Sequence, residues 1–345
     1  MGKKDAGQIA DAADESGKKP TLKTIARLTG LAVPTVSRAL GGALDISPVT
    51  RARVRQVADE IGYVPNRAGV RLRTGRTNVI SLVLSSEHEV MNHTARLISS
   101  VAGGLRGTPF HLIITPYFTD EDPMKPIRYI VETGSADAVI FNQIRPDDPR
   151  AAYLLERGFP FVTHGRTQWS DRHPFCDFDN GAFARLAVRK MAERGRRDLV
   201  LIAPPTDQNY AQDMIRGGEA EAASLGLPLR VLEGASSDQA SERIEGAIAA
   251  YLAQGGPMDG VICPSSNSSL AAMAAVEAAG HEIGATLDLC AKEVSPLLKK
   301  IRKAVLVVHE DIGAAGAFMA KAAMARVRAP DEPPLQWIEV PEQVV

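Results

Sequence analysis

From Val79 onward, short apolar runs alternate with longer stretches of helical periodicity, and this alternation limits the fold more than any other feature of the chain. The runs are 79-VISLVL-84, 110-FHLIIT-115, 138-AVIF-141, 160-PFVT-163, 199-LVLIA-203, 260-GVIC-263, 286-TLDLC-290 and 304-AVLVV-308. Helical stretches of ten or more residues separate most of them, as at 179–194, 207–225 and 241–254. Strand–helix alternation builds parallel sheets with helices on both faces. The runs are apolar throughout, as strands covered on both sides must be. About nine or ten strands are many for one sheet. Two sheets in two lobes are therefore expected, with a cleft at the carboxyl ends of the strands.

The 78 residues before this body are of another kind. Between Lys18 and Arg76 lie 12 Lys and Arg against three acids, a formal +9, whereas Thr77–Val345 carries 26 basic and 34 acidic residues, a formal −8. So concentrated a basic block is an electrostatic footprint for a polyanion, and it marks a separate module. A merely solvated basic face is the alternative. The first 19 residues are polar and poor in bulky side chains, so they read as a disordered tail. They lack the apolar centre of a secretory signal, and no run approaches a membrane span, so a cytoplasmic protein with no membrane partner is expected. Cys176, Cys263 and Cys290 are few, odd in number and far apart, which fits buried thiols better than disulfides. His173 and Cys176 lack a second pair at zinc spacing, so no metal or cofactor is expected.

Three short helices are predicted in the basic block. Leu22, Ile25 and Ala26 give the first an apolar face, with Thr21 able to cap it and Gly30 at the turn. The second opens at Val33-Pro34, where proline's missing amide costs nothing, and Gly41-Gly42 ends it. The third starts at Ser47-Pro48, turns Val54, Val57, Ala58 and Ile61 inward, and stops at Gly62. Two helices joined by a short Gly-containing turn and buttressed by a third form a helix-turn-helix, whose second helix enters the DNA major groove. With Val36 and Leu40 inward, Val33, Pro34, Ser37 and Arg38 face out. Apolar Val33 and Pro34 suit thymine methyls or, alternatively, staple the turn. Arg38 suits a guanine or a phosphate, and Thr35 and Ser37 suit phosphates.

In 65-PNRAGVRLRTGRTN-78, arginines interleave with Ala68, Val70 and Leu72. Such a segment suits the minor groove, with arginines in its negative potential and an apolar wedge at a base step. A flexible basic linker is the alternative, and both hold if the helix forms only on DNA.

The residues T-L-K-T-I-A-x-x-T-G-L-A-x-x-T-V-S-R-A-L, followed by V-T-R-x-R-V-x-x-x-A-x-x-I-G-Y-x-P-N-R-A, resemble the LacI/GalR family of transcriptional regulators. The resemblance implies a homodimer on a pseudo-palindromic double-stranded operator, and a repressor controlled by a small molecule, a mono- or disaccharide. It also implies a hinge helix over 65–77 whose Leu72 levers the central minor-groove step. Thr21, Val33, Pro34, Thr35, Ser37, Arg38, Arg51, Tyr63, Asn66, Arg67, Leu72 and Arg73 are the expected DNA-binding residues. Ala32 departs from the family's capping serine, and Gly69 from its hinge alanine.

The expected layout is a helix-turn-helix over 20–64, the hinge over 65–77, and over 78–345 a two-lobed core similar to periplasmic sugar-binding proteins. By the resemblance the chain crosses between lobes near Asp177, Glu293 and Pro330, giving a first lobe of about 78–177 and 294–329 and a second of about 178–293 and 330–345. Polar residues at strand ends are the candidates for the cleft: Ser85, His164, Arg166, Ser265, Asn267 and Glu293, with Asp179 and Glu310 beside them. Tyr210, Trp169 and Phe178 offer aromatic faces. Asp179-Asn180 also reads as a helix cap. Met214 stands three residues before Gly217, where the family commonly has an effector-clamping arginine, and Ser265-Ser266 replaces its Asn-Asp. These departures point to a neutral, larger sugar or to a different molecule.

No P-loop, GxGxxG, GxSxG or HExxH motif is present, so an enzyme is not expected. A transport binding protein matches the body but not the basic module. A regulator with a non-sugar effector, or none, stays open.

Overall fold

The computed structural model describes residues 19–64, 75–85, 91–118 and 120–345, which fall into two compact units divided between Thr77 and Asn78. The first unit is all-helical: α1 is Leu22–Thr29, α2 is Val33–Leu40 and α3 is Pro48–Glu60. Thr21 and Thr24 cap α1 reciprocally, each hydroxyl accepting from the other's amide. Gly30 closes it at φ 70°, a left-handed conformation that strains any β-carbon. Ser47 accepts from the Thr50 amide at 3.2 Å and Pro48 fills the first position of α3. Ala32 gives α2 no side-chain cap. Ile25, Val36, Ala39, Val54 and Ala58 supply all three helices with a common buried core. Ala39 is fully buried, and Leu40 packs at the core's edge.

The second unit contains β1 (Val79–Ser85), β2 (His111–Tyr117), β3 (Ala138–Phe141), β4 (Phe161–His164), β5 (Phe175–Phe178), β6 (Leu199–Leu201), β7 (Leu229–Val231), β8 (Gly260–Cys263), β9 (Asp288–Glu293), β10 (Leu306–His309) and β11 (Gln336–Glu339). They form a six-stranded sheet ordered β11-β5-β4-β3-β1-β2 and a five-stranded sheet ordered β10-β9-β8-β6-β7. Every pair is parallel. The helices are α4 (Met91–Gly104), α5 (Met124–Thr133), α6 (Pro149–Glu156), α7 (Asn180–Glu193), α8 (Asn209–Ser224), α9 (Ser241–Ala253), α10 (Ser266–Ala278), α11 (Leu298–Ile301) and α12 (Ile312–Arg328).

Successive side chains of a strand point to opposite faces, so each apolar run feeds two cores. In β1, Ile80, Leu82 and Leu84 join Leu97 and Val101 of α4 and Met319 of α12. Val79 and Val83 join Ile127 and Ile130 of α5 and Leu154 of α6 on the other side. In β6, Val200 packs with Ile244 and Ala272, whereas Leu199 and Leu201 pack with Phe183 and Met214. This double coverage is why the runs lack alternation. Helices α7 and α8 approach closely enough that a β-carbon on Gly217 would lie 2.5 Å from the Gly181 carbonyl oxygen.

Two expected lobe boundaries are corrected. Residues 294–309 do not return to the first lobe: β10 pairs with β9 from Leu306↔Cys290 to His309↔Glu293, extending the second sheet. The return comes after His309, and α12 then packs on the first sheet. Residues 330–339 likewise belong to the first lobe, because β11 pairs with β5 and Trp337 packs on Phe318 of α12 at 5.8 Å. Only afterwards does the chain cross again, Val345 exchanging two 2.9 Å backbone hydrogen bonds with Val307. No helix among the described residues is long and apolar enough to cross a membrane.

Candidate functional site

Two surfaces carry polar chemistry that folding alone does not require, one in each unit. On α2, Pro34 and Arg38 are exposed, while Val33, Thr35 and Ser37 are half-buried at the helix's outer side. The Arg38 guanidinium pairs with Asp45 in the following loop, both side chains being more than half exposed. Exposed pairs of this kind are weak, so Asp45 orients Arg38 without sequestering it. Thr21 is exposed at the start of α1 but commits its hydroxyl to the cap.

Two expected DNA ligands have structural duties. Arg51 Nη1 donates to the Gly42 and Ala43 carbonyls at 3.2 Å each, which fixes the turn after α2. Tyr63 packs at the edge of the three-helix core, and burial raises its phenol pKa. Asn66, Arg67, Leu72 and Arg73 lie outside the described residues. Sequence reasoning gave no role to Leu44, Val49 and Val64, three apolar residues that this unit leaves well exposed.

In the second unit, a cavity of about 290 Å³ lies between the two sheets at the carboxyl ends of their strands. Of the eight expected contacts, His164, Tyr210, Ser265 and Asn267 line it. The other four do not, and each has a physical reason. Met214 is fully buried in the core under α7 and α8, so it takes no part in the cleft. Glu293 is buried, and its carboxylate accepts from the Leu298 amide at 3.0 Å, fixing α11. Ser85 ends β1 with a buried hydroxyl outside the lining. Arg166 bridges the lobes: Nε donates to Asp177 at 2.6 Å and Nη2 to Asp213 of α8 at 2.8 Å.

Ser265, though on the wall, shares its hydroxyl with Ser268 in a capping box at the start of α10. Asp179 caps α7, accepting from the Ala182 amide at 2.8 Å. Trp169 packs against the core beneath β3 and β4 rather than on the cavity. Phe178 does line it.

The wall also holds residues that sequence reasoning missed. Asn142 and Gln143 follow β3, His93 projects from α4, Lys292 lies on β9, and Ser237-Asp238 follow β7. Position directly after a strand end was a usable signal for Asn142. Nothing in the local sequence singled out His93 or Lys292.

The charged side chains of the wall have partners within the protein. Lys292 Nζ lies 2.9 Å from Glu310 Oε2 and donates to Asn180 Oδ1 at 3.0 Å. Asp238 accepts from the Tyr210 hydroxyl at 2.9 Å and the Ser237 hydroxyl at 2.8 Å. Burial opposes the charge on Glu310, but Lys292, joined by the neighbouring imidazoles once acid protonates them, outweighs it and holds the carboxyl down to about 2. Burial also lowers His93, and it takes His164 to about 4, so both rings are neutral at pH 7. Asp177 is pushed up by burial to about 6 against the pull of Arg166. By contrast, Asn142 Oδ1 and Asn267 Nδ2 are buried with no hydrogen-bond partner among the described residues. One acceptor and one donor, from opposite lobes, thus stand on the cavity wall without a protein partner among the described residues.

Comparison with known proteins places both units. Residues 21–66 match the bacterial regulatory proteins of the lacI family, and residues 105–297 match the periplasmic binding proteins and sugar binding domain of the LacI family. The chain is 34% identical over 310 residues to the HTH-type transcriptional regulator AglR of Rhizobium meliloti (strain 1021), covering 87% of this chain and 86% of that one. The fold is similar to that of the transcriptional regulator CelR in complex with cellobiose, with a TM-score of 0.69, 22% identity, and 95% and 98% of the two chains covered. It is also similar to the lac repressor dimer bound to operator and the anti-inducer ONPF, with a TM-score of 0.79, 16% identity and the same coverage.

Proposed function

This chain belongs to the LacI family of bacterial regulatory proteins, and on that premise we propose that it is a cytoplasmic, homodimeric repressor released from its operator by a neutral sugar. It is a DNA-binding transcriptional regulator and not an enzyme. Val33, Pro34, Thr35, Ser37 and Arg38 of α2 read the major groove of a pseudo-palindromic operator. The basic segment through Leu72 and Arg73 takes the minor groove.

The cavity carries the choice of effector. Its lysine is paired with Glu310 and its Asp238 is held by two hydroxyls, leaving no free cation for an anion among the described residues, while Asn142 and Asn267 keep an acceptor and a donor open. Such a wall favours an uncharged molecule rich in hydroxyls over a phosphate or carboxylate. Tyr210 supplies a ring for an apolar face. That CelR is recorded with cellobiose supports a disaccharide. Because the wall comes from both lobes, a sugar preferring one interlobe angle shifts the equilibrium by its difference in affinity for the two.

Selection from random duplex DNA with the purified protein tests this reading, followed by titration of neutral mono- and disaccharides. An inverted-repeat sequence should be enriched, with affinity falling steeply as salt rises. One sugar should weaken it roughly 5–150-fold. Equal, feeble binding to every duplex would overturn the regulatory reading. A selected operator indifferent to every sugar but sensitive to a charged metabolite would overturn the choice of effector.

A further inference from the structure

Three side chains far apart in sequence meet on one wall of the cavity. His93 comes from α4, His164 from the end of β4, and Glu310 from the residue after β10. One potential ligand atom of each lies within 4.8 Å of the other two. We infer that His93, His164 and Glu310 form a site for a divalent first-row transition ion such as zinc, open to the cavity on its remaining side. This site goes beyond the sugar reading and stands whatever small molecule the cavity accepts.

The donor set is two imidazoles and a carboxylate, which suits such ions and leaves further positions for water or a ligand hydroxyl. His164 Nε2 lies 4.0 Å from Glu310 Oε1. The two rings stack at 5.6 Å between centroids and 10° between planes. Donors sharing one zinc lie roughly 3.3 Å apart and the ion lies in the plane of each imidazole, so filling the site takes side-chain shifts on the order of 1 Å and a rotation of one of the two stacked rings. His173 shows the structural alternative. Its ring is pinned at both nitrogens, by Thr167 at 2.8 Å and the Pro174 carbonyl at 2.9 Å. No such pair of bonds holds His93 or His164 among the described residues.

Lys292 is the competing cation. It lies 2.9 Å from Glu310 Oε2, yet that oxygen has no partner in hydrogen-bond geometry. If a metal takes the carboxylate, the ammonium retains Asn180 at 3.0 Å and the face of Phe178 at 4.9 Å. Metal and Lys292 are therefore alternative counter-charges for one carboxylate.

Metal-free full-length protein, titrated with Co²⁺ by absorption and with Zn²⁺ by calorimetry, gives the test. One ion per chain should bind and produce visible cobalt bands. His93→Asn, His164→Asn and Glu310→Gln should each weaken binding about tenfold or more. Lys292→Met should tighten it, and zinc should raise the melting temperature of that variant more than that of the parent. Circular dichroism confirms folding, and if Glu310→Gln fails it, the two histidine variants decide. Absence of saturable binding in both the parent and Lys292→Met overturns the site. So does binding unchanged by the histidine variants, which would put the ion elsewhere, for example at the surface pair His281-Glu282.

Discussion

Arg166 and Asp213 join the two lobes through a 2.8 Å hydrogen-bonded ion pair, while the same guanidinium holds buried Asp177 at 2.6 Å. Arg145 and Asp207 make a second bridge at 2.8 Å, and the Asn209 amide donates across the cleft to the Ile144 carbonyl at 2.7 Å. The lobes are thus tied by two side-chain ion pairs and one backbone hydrogen bond beside the cavity.

Arg166→Ala takes its cation from buried Asp177, whereas Asp213 keeps Arg216 at 2.6 Å. It should destabilise the body by about 1–3 kcal/mol, most of it from stranding Asp177. Asp213→Asn should cost less, because Arg166 keeps Asp177. Chemical denaturation of the two variants checks the order. Equal losses would mean that the interlobe bond, not the buried carboxylate, dominates.

The pH dependence of Asp177 has a definite sign. Its folded-state pKa of about 6 lies above the ordinary 3.8, so the folded protein holds this proton more tightly than the unfolded chain. The group's contribution to stability is therefore least above pH 6 and grows as pH falls from 6 towards 3.8. Relative to Asp177→Asn, the parent should gain on the order of 1 kcal/mol or more over that window. His164 and Glu310 pull the other way in acid, but they act equally in both proteins and cancel in the comparison. A parallel pair of stability curves would contradict the assignment.

Gly217→Ala should destabilise the second lobe by about 1–3 kcal/mol, because its β-carbon meets the Gly181 backbone. Gly246→Ala is the control: a β-carbon there meets nothing within 4 Å, so the helix should be neutral or gain slightly. Thermal unfolding of both variants tests the contact.

Arg38→Ala should weaken binding to a selected operator by about 1–3 kcal/mol and relax specificity at one position in each half-site. Asp45→Ala, which only releases the Arg38 side chain, should change affinity by less than about 1 kcal/mol. Fluorescence anisotropy on matched and mismatched duplexes distinguishes a base contact from a phosphate contact.

The two sheets were legible because their inner strands are buried on both faces, so composition alone marked Val79–Leu84 or Gly260–Cys263. Strands β7 and β11 lacked that mark: they sit at sheet edges with half-buried Arg230 and exposed Gln336 among their residues. The short β5 was hidden by its Asp177, a charge placed at a strand end for Arg166. The small helical unit was legible through its caps, turns and spacing. The cavity was only half legible. Tyr210 and Asn267 follow turns, where polar residues invite suspicion, but His93 looks like any outward position on a helix. Met214 showed the limit of carrying a residue over by resemblance: the position is aligned, but an unbranched apolar side chain there turns into the core.

Three separate stretches of chain pass between the lobes, at 178–180, 309–312 and beyond Glu339. A single strap would let the halves twist, slide and bend in any direction. Three straps side by side leave essentially one easy motion, a swing like that of a door on several pins. Whatever settles in the cavity can then report its presence only as a choice of angle, and a mutation that stiffens any one strap should dull the response without touching either binding surface.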